Sequence, residues 1–237
     1  DRSRGLGDVY KRQVQERAIL EIARQCEKTV VVVFAGGAVD MSAWADKVQG
    51  ILFAGFSGMG GDEVIADILT GKINPSGKLS ETFPLSLADV PAANAYRCAG
   101  VTRYAEGLDV GYRYFDTYDM PVLYPFGYGL SYSEFTYGGL RLKADGMALE
   151  VSFEVGNASE RDGKEVSQVY VRECAPLVYR PIKELRAFAK TDIRAGGTER
   201  VTLRLKERAF AHWSVSKDRW EVTDGIYEIM VGASVAD

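Results

Sequence analysis

A chain of 237 residues and 26.1 kDa accommodates one large domain or two of ordinary size. Its composition, 46% hydrophobic and 26% charged, is that of a soluble globular protein and excludes a disordered tail, a collagen or a coiled-coil rod. A net charge of −4 argues against a nucleic-acid or anionic-membrane partner, and a single histidine, His212, leaves little room for zinc, Ser-His-Asp or Cys-His chemistry. Catalysis in such a chain rests on carboxylates, lysine or tyrosine. Cys26, Cys98 and Cys174 fit neither a disulfide framework nor a CxxC metal site and read as free thiols. The longest apolar run, residues 30–35, is far below the ~18 residues of a membrane span. No apolar stretch follows Arg2, Arg4, Lys11 and Arg12, so no signal peptide is visible, and the chain does not begin with Met.

Residues 1–13, DRSRGLGDVYKRQ, show no hydrophobic period; they resemble a translated sequencing adapter and are expected to be unstructured. From Val14, apolar residues at 14, 18, 22 and 26, widened by Ile19 and Ala23, predict an amphipathic helix. TVVVVFA (29–35), ending in Gly36-Gly37, predicts a strand buried on both faces, as in a parallel sheet. A short helix is expected over 41–48 with Ser42 as its cap, then a strand over 51–54, a glycine-rich turn over 55–61 and a helix over 62–69 stopped by Gly71. This alternation argues for an α/β layer. With two strands and a weaker third at 78–83, that layer is small, and it reads as part of a domain whose beginning is missing.

The turn GFSGMGGDE lacks both the GxGxxG order and a Gly-Lys-Ser/Thr ending. Asp62 and Glu63 at the helix start would repel a phosphate, so the turn is expected to be structural, with a carboxylate cap.

Residues 74–137 hold nine of the 13 tyrosines. Two readings stand side by side. The rings form a sugar site with Glu106, Asp109 or Asp116, or they form a buried junction in which Arg113 pairs with a carboxylate. From about Gly138, short strands separated by Asp-Gly and Gly-Gly turns predict an Ig-like or fibronectin-like β-sandwich without the Cys…Trp…Cys spacing. The RPIKE segment (180–184) and Trp213 with Trp220 read either as a binding face or as an edge turn and core aromatics. His212, with no acidic or thiol partner in a ligand spacing, reads as structural.

Taken together, VVVVFAGGAVDMSAW, GFSGMGGDEVIADILTGKINPSGKLSETFP, YAEGLDVGYRYFD and PFGYGLSYSEF resemble the C-terminal α/β sandwich of glycoside hydrolase family three β-glucosidases. GKEVSQVYVRE, RPIKELRAFAKTDIRAGG and FAHWSVSKDRWEVTDGIYEIMVGASVAD resemble the fibronectin type III-like domain that closes many members. The resemblance implies a partial α/β sandwich over 14–130, carrying the aromatic connector, followed by an all-β fibronectin type III-like sandwich over 131–237. It implies a retaining hydrolase that removes terminal non-reducing β-linked glucosyl residues from an oligosaccharide or an aryl or alkyl β-glucoside, using two carboxylates ~5–5.5 Å apart and no cofactor or metal. In the family, the nucleophile lies on an N-terminal (β/α)8 barrel and the acid/base upstream of the helix at 14–26. No position here matches either motif, so no catalytic, cofactor-binding or metal residue is carried over. The chain is expected to be an inactive C-terminal fragment whose intramolecular partner is the barrel. The alternative is a non-catalytic carbohydrate-binding or interaction module.

Overall fold

The computed structural model describes residues 13–93, 101 and 104–237. The expectation for residues 1–12 and the thiol of Cys98 lie outside the described residues.

The first unit opens with α1 (Gln13–Gln25), as its four-residue apolar period requires, and β1 (Val30–Val33) follows. β1 pairs in parallel with β2 (Gly50–Phe53), Val31 opposite Ile51 and Val33 opposite Phe53. Between them the chain makes only a single 3-10 turn at Ala45–Lys47. Ser42 does not cap it: the Ser42 amide and hydroxyl both donate to Asp40 Oδ1, at 3.1 and 2.6 Å. Met41 and Trp44 instead turn inward, with Ala38 and Phe83, to form a small core onto which Ile19, Leu20, Val31, Val33, Ile51 and Phe53 pack. α2 (Gly61–Leu69) starts at Gly60, whose φ of 80° is one a side-chain-bearing residue rarely adopts. No side chain caps it, so the expected carboxylate cap is absent; Asp62 and Glu63 act only as first-turn charges facing the helix dipole. Gly71, at φ 77°, ends the helix as expected.

The expected third strand shortens to β3 (Phe83–Pro84), which pairs antiparallel with β4 (Val122–Tyr124) and so does not extend the parallel sheet. Between β3 and β4 lies α3 (Tyr112–Thr117), too short for any hydrophobic period to announce it.

The second unit is a sandwich of two three-stranded antiparallel sheets plus a hairpin. One sheet orders β5 (Phe135–Asp145), β6 (Ala148–Asn157) and β9 (Thr198–Leu205). The other orders β12 (Tyr227–Gly232), β7 (Gly163–Glu173) and β8 (Glu184–Ile193). β10 (His212–Ser214) and β11 (Arg219–Glu221) pair with each other, Trp213 opposite Trp220. Strand alternation puts Val151, Phe153 and Val155 of β6 against Val169 and Val171 of β7, Ile193, Val201 and Leu205, all buried. β7 is covered on its other face as well, by the connector: Tyr170 meets the Tyr112 ring edge-on at 6.1 Å, and Tyr112 stacks on Phe126 at 4.7 Å. An α/β layer followed by an Ig-like β-sandwich is therefore the observed architecture.

Candidate functional site

In parallel α/β layers, ligands lie outside the carboxyl ends of the strands. Here that end is built by the turns that follow β1 and β2. Phe34, Phe56 and Met59 stand exposed there, Phe56 at 84%. The Phe56 ring lies so close over Gly36 that a Cβ at that glycine would fall 2.6 Å from Cε2. Asp40 is tied to Ser42 at the same end. Glu81 is anchored to the backbone at Ala38, and partial burial pushes its carboxyl above the usual range. Glu81 escaped the sequence reading, because it sits in a polar stretch whose burial depends on packing against the 36–41 loop.

The aromatic segment forms the buried junction, with some rings left at the surface. Tyr124 stacks on Tyr128 at 5.3 Å, and Tyr114 packs against Phe115 at 5.4 Å and Tyr118 at 5.0 Å. Arg113 pairs with a carboxylate, that of Glu184, at 3.6 Å. The three acids named from the sequence do not converge. Asp109 is buried and accepts from the phenols of Tyr118 and Tyr179. Asp116 faces Lys183 at 3.4 Å, and desolvation, only partly offset by that ammonium, raises its pKa. Glu106 lends only its backbone carbonyl, to the Asp109 amide.

RPIKE proves to be an ionic hub. Arg180 donates to Glu173, Glu184 and the Phe210 carbonyl, all within 2.9 Å, and Arg186 also donates to Glu184. Desolvation is the largest single influence on Arg180, but its hydrogen bonds to Glu184 and Glu173 and their charges together outweigh it and raise its pKa, whereas desolvation dominates at Arg186 and lowers it. Trp213 and Trp220 meet edge to face at 5.5 Å, and the Arg208 guanidinium lies 3.2 Å from the centre of the Trp220 ring. His212 Nδ1 lies 3.4 Å from the Thr223 hydroxyl. Cys26 and Cys174 are free thiols. Among the described residues no cluster of three His, Cys, Asp or Glu side chains could hold a metal, and no helix is long and apolar enough to cross a membrane.

A parallel two-stranded layer joined through an aromatic connector to a fibronectin-like sandwich matches known profiles in the same order. Residues 6–132 match the glycosyl hydrolase family 3 C-terminal domain, and residues 165–235 match a fibronectin type III-like domain. The chain belongs to glycosyl hydrolase family 3. The thermostable beta-glucosidase B of Acetivibrio thermocellus is 39% identical over 228 residues, covering 94% of this family 3 chain and 30% of that protein. An exo-alpha-(1->6)-L-arabinopyranosidase of Bifidobacterium longum is also 39% identical, over 97% of this chain and 31% of its own length. Among solved structures, the Bifidobacterium adolescentis GH3 beta-glucosidase superposes with a TM-score of 0.91 at 39% identity, over 94% of this chain and 33% of that one. Beta-glucosidase 3B from Thermotoga neapolitana in complex with glucose gives 0.91 at 38%, over 99% and 34%. The family 3 chain thus spans about a third or less of the length of these relatives.

Proposed function

We propose that this chain is the non-catalytic C-terminal part of a retaining β-glucosidase-type hydrolase, which removes terminal non-reducing β-linked glucosyl residues from oligosaccharides or aryl and alkyl β-glucosides. The observation that carries the reading is similarity along 94% of the chain to a β-glucosidase of which it spans only 30%. In this reading residues 14–130 are the sandwich part with its connector and residues 131–237 the fibronectin-like domain. The catalytic carboxylates belong to other parts of the protein, including a (β/α)8 barrel that is this chain's intramolecular partner. The carboxylates described above support that assignment: Asp40, Glu81, Asp109 and Asp116 each already hold a partner within the fold. Retaining hydrolysis needs two carboxyls facing one bond, with room for a sugar between them, and no metal. The exposed carboxyl ends of β1 and β2 then form one wall of the substrate cleft.

The geometry of the tryptophans favours this reading over a carbohydrate-binding module. A sugar platform needs flat, open ring faces, whereas Trp213 and Trp220 are inclined at 65° and a guanidinium covers one of them. Relatives of equal identity carry the names of a β-glucosidase and of an arabinopyranosidase, so similarity over this span does not single out one sugar.

The test is hydrolysis of an aryl β-glucoside. The 237-residue chain is expected to show no turnover, and the product of the complete coding sequence is expected to be active. Turnover by the chain itself, persisting after contaminating glucosidase is removed, overturns the proposal. Calorimetry with cellobiose is the companion measurement, and tight binding by the chain alone would favour the module.

A further inference from the structure

We propose that residues 104–111 form a strap held closed at one carboxylate, that of Asp109, which Tyr179 of the fibronectin-like unit and Tyr118 of the connector both grip. The segment reverses the ordinary rule of burial. Asp109 is 6% exposed, while Leu108 and Val110 on either side are each 56% exposed. Apolar burial at those positions therefore does not hold it down. Its own backbone bonds are local: the Asp109 amide donates to Glu106 O at 2.9 Å and the Val110 amide to Leu108 O at 3.0 Å. Gly107 and Gly111 bracket the carboxylate with φ of 58° and 59°, left-handed positions where the absence of a Cβ leaves the chain free to pivot.

What fixes the strap is Asp109 Oδ2. It accepts a hydrogen bond from the Tyr118 hydroxyl at 3.2 Å and another from the Tyr179 hydroxyl. Tyr118 lies just beyond α3 on the same connector. Tyr179 comes from the fibronectin-like unit, 70 residues further along the chain, and makes the direct bond from sandwich to strap, whereas Tyr118 ties the strap to α3. The bond to the carboxylate raises the Tyr179 pKa, so the phenol remains a donor throughout the neutral range.

Beside its aromatic contacts, the seam carries polar groups on both sides: among the described residues, Asp109 Oδ1 and Arg113 Nε on the connector, and Glu173 Oε1 and Arg186 Nε on the sandwich, are buried without a hydrogen-bond partner. α3 itself stays anchored when the latch opens. The Tyr112 hydroxyl accepts from the Leu185 amide at 2.8 Å, and the Thr117 hydroxyl accepts from the Ile182 amide at 3.1 Å. Opening therefore pivots the strap at Gly111 and uncovers Asp109.

Hydrogen exchange on the whole chain reads this directly. In Tyr179→Phe, which keeps the ring and deletes only the donor, peptides containing the Asp109 and Val110 amides are expected to exchange at least about tenfold faster, while β6 and β9 keep their protection. Asp109→Ala, which removes the acceptor, should do the same, and a protease should cut both variants within 104–111 sooner than the parent chain. Unchanged exchange of the strap in Tyr179→Phe overturns the proposal. So does acceleration of strap and β6 together, which would mean that the tyrosine merely stabilises the whole fold.

Discussion

The Lys78 ammonium lies 3.0 Å from a carboxylate oxygen of Glu165, although the two residues belong to different units and their side chains are only 11% and 3% exposed. The same Glu165 oxygen accepts from the Tyr137 hydroxyl at 3.0 Å, and Lys78 also donates to the Gly129 carbonyl at 3.1 Å. One lysine thus joins the connector to the start of β7. Lys78→Ala leaves the carboxylate buried without its counter-charge and is expected to cost about 3–5 kcal/mol. Replacing both partners by apolar residues of similar volume, as in Lys78→Met with Glu165→Leu, should cost much less. Urea denaturation of the single and double variants checks both statements, and a single variant as stable as the parent would refute them.

The same cluster protects Tyr137. Burial, the largest influence, together with the neighbouring Glu165 charge raises its pKa far above that of a free phenol. Tyr170 is raised in the same direction, again chiefly by burial. The folded state favours both neutral phenols, so neither should ionise until the fold opens at high pH. A spectrophotometric tyrosinate titration should show these two rings titrating together with alkaline unfolding. Smooth ionisation near pH 10 in the folded chain is the contrary result.

On the β10–β11 hairpin, hydrogen bonds from Lys217 first and Arg219 second hold the Glu221 carboxyl at about 2, below its ordinary 4.5. A depressed carboxylate favours the fold above its unfolded pKa, and that contribution fades as the pH falls from about 4.5 towards about 2. The carbon chemical shift of Glu221, followed by NMR, should have a midpoint near 2. Lys217→Ala should move the midpoint upward.

The sandwich core predicts its own weak point. Phe153 is 2% exposed among Val151, Val155 and Val169, and the Tyr137 ring packs on it at 6.2 Å. Phe153→Ala should cost about 3–5 kcal/mol through lost transfer energy and the cavity left behind. A fall in the denaturation midpoint with an unchanged slope is the expected readout.

The boundary of the second unit is also testable. β5 begins at Phe135, and both Phe135 and Tyr137 pack on the core. Residues 131–237 should therefore melt cooperatively and at a higher temperature than residues 138–237, which lack both rings. Equal melting by circular dichroism would show that the start of β5 is dispensable.

What the sequence determined by itself is local. The four-residue apolar period wrote α1, the valine run wrote β1, and alternation with Asp-Gly and Gly-Gly turns wrote most of the sandwich strands, because each signal is carried within a dozen neighbouring residues. The motif order also disclosed the family. What only the tertiary structure decided depends on residues far apart in the chain. β7 is buried on both faces because Tyr112 and Phe126 reach it from the connector, and no pattern inside β7 names them. α3 is a single short helix fixed by contacts with β8 and the loop before it. The tyrosine-rich segment permitted a sugar site or a buried junction; the choice fell when Asp109 met Tyr179 and Asp116 met Lys183. A carboxylate's role follows from what surrounds it, and its surroundings are assembled only by the fold.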